Sequence, residues 1–148
     1  MTPRTSGILW AVLALALLAF GIFEAVKYGW VAAGVFVLFL LLPDVALIGA
    51  FDADRRGALL PSRVAFYNAL HQPWLPLAMM LAAMVVPLPV LGLGLPGGLE
   101  LFLAGLGWLT HVAADRAFGY GLRAPDGTIR GQAPARPVPD GQRRTRAD

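Results

Sequence analysis

"VAFYNALHQPWLPLAMMLAAMVVPLPVLGLGLPGGL" (residues 64–99) runs from Arg63 to Glu100 without one Asp, Glu, Lys or Arg. Such a run is longer than the about twenty apolar residues that a helix needs to cross a ~30 Å hydrocarbon core. Inside it, "VVPLPVLGLGLPGG" is dense in proline and glycine, the mark of a turn. The stretch therefore predicts the end of one membrane helix, over about residues 62–86, and the start of another, over about 98–120.

Two further charge-free runs lie upstream, "TSGILWAVLALALLAFGIF" between Arg4 and Glu24 and "YGWVAAGVFVLFLLLP" between Lys27 and Asp44. They predict helices over about 7–27 and 30–51. Composition agrees: of 148 residues 57% are hydrophobic and 14% charged, with mean hydropathy +0.65, too apolar for a water-soluble domain of this length. The expected fold is all-α, a four-transmembrane-helix bundle over residues 1–122. No small-x-small cleavage site follows the first helix, so it is expected to stay in the mature chain.

The N-terminus, the loop "DADRRGALLPSR" and the C-terminal tail hold ten of the twelve Lys and Arg, and Arg116, near the end of the fourth predicted helix, makes eleven on that side; Lys27 alone lies on the other side. The positive-inside rule then puts both termini in the cytoplasm. Residues 123–148 lack apolar periodicity and are rich in Arg, Pro and Gly, so a disordered basic tail is expected. Its partners would be the lipids themselves through anionic headgroups. Nucleic acid is not expected, because no aromatic residues interleave the arginines. Cysteine is absent, which excludes disulfides, thiol nucleophiles and thiolate metal sites.

Ionisable residues inside predicted spans are costly and mark candidate sites. At ~1.5 Å per residue, Asp44, His71, His111 and Asp115 all fall about 8–13 Å inside the cytoplasmic ends of their helices. His111 and Asp115 are an i, i+4 pair, and Tyr67 and Asn68 precede His71 by four and three, so each helix presents a polar stripe. Arg116 and Tyr120 follow as support for the cluster, Arg116 pointing away from Asp115 toward Asp44 or the headgroups. Pro43, Pro73 and Pro76 break backbone hydrogen bonding at the same depth, which suits the walls of a small polar cavity. Gly119 and Gly121 in "GYG" are read as a helix end, Glu24 and Glu100 as outer-end carboxylates meeting water, and Asp52, Asp54, Arg55 and Arg56 as a solvated loop.

The order "PD", then "YN" with His71 following, then His111, Asp115–Arg116 and "GYGL" with a basic residue resembles a family of small bacterial membrane proteins, domain of unknown function 4260. The resemblance covers about Leu42 to Arg123 and implies a multi-pass protein of the bacterial inner membrane. It brings no activity. Members of the family tend to carry an acidic residue early in the first helix, where this chain has "ILWAV", and Thr-His-Leu-Gly after the last, where this chain has "TIRGQ".

Three readings of the cluster stay open. In the first, His, Asp, Asn and Tyr hold the helices in register or bind a small ligand. In the second, Asp44, His71, His111 and Asp115 ligate Zn, Fe or Mn, with Asp44, Tyr67, Asn68 and Asp115 as catalytic candidates of an intramembrane hydrolase acting on a lipid-like substrate. In the third, Asp44 or Asp115 is the proton-linked carboxylate of a transporter, which with four helices requires a homo-oligomer.

Overall fold

The structure, a computed structural model, describes residues 3–85 and 92–131; the predicted turn around 86–91 and the tail from 132 lie outside the described residues. Five α-helices follow in order: α1 (Pro3–Tyr28), α2 (Trp30–Leu41), α3 (Pro61–Leu70), α4 (Trp74–Val85) and α5 (Leu99–Ala117), with a 3-10 helix, Leu42–Leu47, continuing from α2. Among the described residues there is no strand, only the isolated antiparallel bridges Phe51–Leu59 and Arg123–Ile129. The chain divides into two compact units: one holds the chain up to Pro43 and Gln72–Tyr120, the other Asp44–His71 and the chain from Gly121 on.

In the first unit α5 is the central helix, packed against α1, α2 and α4. Every residue from Leu103 to Ala113 is buried, and Leu103, Ala104 and Leu106 share a core with Ala32, Val35 and Phe36 of α2. Small residues make this approach close enough: a methyl group on Gly107 would collide with the Phe36 carbonyl, and one on Gly105 would crowd Pro76 and Met80 of α4. Gly7 meets the Ala117 carbonyl, and Phe20 packs edge-on to Phe102 with ring centroids 6.0 Å apart, so α1 and α5 run antiparallel.

That pairing sets Glu24 and Glu100 at one level, and both are buried, at 7% and 0% exposure, instead of meeting water as expected. Glu100 accepts the Leu93 N–H at 2.6 Å, so its carboxylate ties down the segment before α5. At the other end α5 stops as its sequence dictates. Gly119 takes φ 84°, its N–H donates to the Arg116 carbonyl, and the Tyr120 N–H donates to the Asp115 carbonyl at 2.8 Å, the paired bonds of a Schellman end.

Two segments, Thr5–Tyr28 and Trp30–Leu47, are helical, long and apolar enough to cross a membrane. Leu9, Val12, Leu15, Ile22, Phe23 and Val26 of α1 are all more than half exposed, a face that water does not favour. The predicted third span differs. Pro73 has no N–H and disfavours helix at Gln72, so the expected helix over 62–86 is two short ones, α3 and α4, with His71 capping the first. The expected helix over 30–51 likewise loses α geometry after Leu41, where Pro43 removes a donor.

The second unit is built from the 3-10 helix, the loop to α3, α3 itself and residues 121–131. Ala46, Ala50, Leu59, Val64 and Tyr67 form its core. Expected disorder from residue 123 does not hold as far as residue 131. Leu59 donates to the Gly127 carbonyl at 3.0 Å, Ala124 to Thr128 at 2.8 Å and Arg130 to Leu122 at 2.9 Å. Backbone pairing, which leaves no hydrophobic period in the sequence, holds this segment. Gly127 turns it at φ 87°, where a side chain would also strike Leu59.

Candidate functional site

The predicted site residues are carried as two imidazole–carboxylate pairs, one in each unit. In the second unit, Asp44 sits in the first turn of the 3-10 helix directly after Pro43, and His71 closes α3. Ligand atoms of Asp44 and His71 lie within 4.8 Å of each other. Asp44 is exposed and His71 is buried, at 2% exposure.

His71 is held by the turn of α3 that precedes it. Its ring Nδ1 lies 2.8 Å from the Tyr67 carbonyl oxygen, which also accepts the His71 backbone N–H at 3.0 Å. A carbonyl only accepts, so Nδ1 bears a proton, and in the neutral imidazole the lone pair is then on Nε2. The i, i+4 spacing also stacks the two rings, with centroids 3.8 Å apart and planes inclined by 15°. Tyr67 is itself buried at 2% exposure, so ring and carbonyl together fix the imidazole.

Asn68 bonds the backbone of Arg123. Its amide donates to the Arg123 carbonyl at 3.0 Å and accepts the Arg123 N–H at 2.7 Å. Both ends of the side chain are thereby spent on backbone, which makes Asn68 a clamp on the chain after α5. Arg123, the basic residue that follows "GYGL", is 4% exposed. Its Nη1 donates to the Gly57 carbonyl at 2.7 Å, and its guanidinium lies 5.3 Å from the Tyr67 ring centroid. The turn beyond is closed by Asp126, whose Oδ1 accepts the Thr128 N–H at 3.0 Å and hydroxyl at 2.8 Å. These bonds, the hydroxyl first, hold the Asp126 carboxyl below its ordinary value. Asp52 is lowered in the same way, first by the Asp54 N–H and then by Arg55, whose Nη2 is 2.9 Å from its carboxylate.

In the first unit, His111 Nε2 lies 3.7 Å from Asp115 Oδ2 across one turn of α5. His111 is buried at 9% exposure, below the back-bonded Thr110, whose hydroxyl donates to the Leu106 carbonyl at 2.7 Å. Arg116 falls in the last turn of α5, where a cation suits the helix dipole. Tyr120 is 53% exposed, so its side chain does not support the cluster; its N–H closes the helix instead.

All of these residues lie in residues 9–131, which match the sequence model of domain of unknown function DUF4260. No curated protein and no solved structure matches the chain.

Proposed function

We propose that this chain, which belongs to the family of domain of unknown function DUF4260, is a multi-pass protein of the bacterial inner membrane that binds a divalent cation through His71 and Asp44. One observation carries the reading: the Tyr67 carbonyl accepts a hydrogen bond from His71 Nδ1, 2.8 Å away, which leaves Nε2 to act as a metal donor, in a ring with a nitrogen within 4.8 Å of the Asp44 carboxylate. Histidines that bind metals are oriented in this manner by a carbonyl or carboxylate on the other ring nitrogen. Imidazole with carboxylate suits Zn, Fe or Mn and leaves positions open for water or a ligand. When bound, such an ion supplies Lewis acidity and a water of lowered pKa, the chemistry that a hydrolase of lipid-like substrates would use. Tyr67 orients the imidazole, and Asp44 ligates or takes a proton. The exposed apolar face of α1 and the length of Thr5–Tyr28 and Trp30–Leu47 support placement in a bilayer.

Competition titration of the detergent-solubilised protein with zinc against a chromogenic chelator tests the binding. The wild type should take up about one equivalent, and His71→Ala and Asp44→Asn should each weaken it at least about tenfold. Wild-type protein that takes up no zinc, iron or manganese, or variants that bind as tightly as wild type, would refute the proposal. Topology is read from single cysteines, since the chain has none of its own. Cytoplasmic labelling is expected at residues 2 and 140.

The pair in the first unit favours a second reading. At 3.7 Å, a protonated His111 forms an ion pair with Asp115, which fits a proton-coupled role in an oligomer. Proton uptake by vesicles containing the protein, abolished by Asp115→Asn, would support it; a strictly monomeric particle would oppose it.

A further inference from the structure

We infer that Arg123 is a positioning residue for His71, acting through Tyr67. Three rings and planes stand in one series inside the second unit: the guanidinium of Arg123 5.3 Å from the Tyr67 ring centroid, and the Tyr67 ring 3.8 Å from the imidazole of His71. Tyr67 also supplies the carbonyl that accepts the imidazole Nδ1–H hydrogen bond. Whatever fixes Tyr67 therefore fixes both the plane and the tautomer of His71.

Arg123 is built to be that fixed point. Its backbone is gripped on both sides by the Asn68 amide, one residue along α3 from Tyr67. Its carbonyl accepts a further bond from Arg130 Nε at 3.1 Å. Its Nη1 donates to the carbonyl of Gly57 at 2.7 Å and reaches that of Gly127 at 3.4 Å. No carboxylate bonds to it among the described residues, so its charge is met by carbonyl dipoles and an aromatic face. A planar guanidinium can lay its face on a ring while its in-plane N–H groups donate to carbonyls, a geometry that an ammonium does not reproduce. Residues 121–131 thus act as a strap whose inner surface sets the imidazole. The functional weight of this positioning rests on the reading of His71 as a metal ligand, whereas the tautomer it fixes does not.

The test uses the full-length protein, metal-free in detergent, labelled with 15N-histidine. The chain has two histidines, and His111→Gln identifies the His71 signals. Wild-type His71 should show one protonated and one bare ring nitrogen, the Nδ1–H tautomer. In Arg123→Met the two signals should move toward each other as both tautomers become populated. Asp126→Ala, which loosens the same strap without touching the ring series, should leave them apart. Arg123→Lys keeps a charge and loses the plane, and it decides the matter if Arg123→Met does not fold: its signals should also converge. Wild-type signals in a folded Arg123 variant, or equal convergence in Asp126→Ala, would overturn the inference. Zinc affinity on the same samples should fall about tenfold with convergence. Convergence at unchanged affinity would leave the positioning intact and count against the metal reading alone.

Discussion

Replacing Gly107 by alanine should destabilise the helical unit, while the same replacement at Gly34 should stabilise it. Both glycines are interior to helices, so each substitution gains about 0.8–1 kcal/mol of helix propensity. Their surroundings are opposite. At Gly34 nothing lies within 4 Å of the added methyl. At Gly107 it would overlap the Phe36 carbonyl oxygen, with Leu40 N at 3.0 Å and the Phe36 carbonyl carbon at 3.2 Å. All three are backbone atoms of α2, which cannot rotate aside, so α2 must shift as a body. Overpacking of this kind costs about 1–3 kcal/mol. Gly107→Ala should therefore unfold about 1–3 kcal/mol below Gly34→Ala. For a chain of this size that is a gap in Tm of about 2–12 °C. Near-ultraviolet circular dichroism in one detergent follows it directly, since Trp108 beside the substitution is buried at 6% exposure. Equal melting temperatures for the two variants would refute the close approach of α2 to α5.

The strap gives two more tests. Asn68→Ala strips the Arg123 N–H of its acceptor and should cost about 1–3 kcal/mol; Asn68→Asp, which cannot donate to the Arg123 carbonyl, should not restore wild-type stability, and thermal unfolding at the wild-type temperature for either variant would contradict the clamp. Asp126 has its folded pKa below the unfolded value, so its contribution is complete above the ordinary carboxylate range and is lost as pH falls through the folded value, below about pH 4. Amide exchange at Thr128 should accelerate there in the wild type, and Asp126→Asn should flatten that dependence; exchange in the wild type that is insensitive to pH after correction for the intrinsic rate would refute it.

The apolar runs between charges were enough to locate α1, α2 and α5, because a long apolar helix announces itself by length without charge. Pro43 and Pro73 were also legible as breaks, yet composition could not say that Pro73 would divide α3 from α4 where a single span over 62–86 was expected. At the site, i, i+4 spacing joined Tyr67 to His71 and His111 to Asp115, since those contacts are local. Arg123 and Asn68 are 55 residues apart, and their bonds run through the backbone, which no periodicity encodes. A signal was present nonetheless: "APDG" before Thr128 is turn chemistry, and it forecasts a chain reversal where disorder was expected. Glu24 and Glu100 misled because depth along a helix says nothing about which face a neighbour covers.

The central claim is that His71 is a metal donor. X-ray absorption at the zinc edge of the zinc-loaded protein tests it without an assumed substrate. The account predicts a first shell of nitrogen and oxygen with outer-shell imidazole scattering that is reduced in His71→Ala. Zinc bound without imidazole scattering, or with scattering unchanged in His71→Ala, would contradict it.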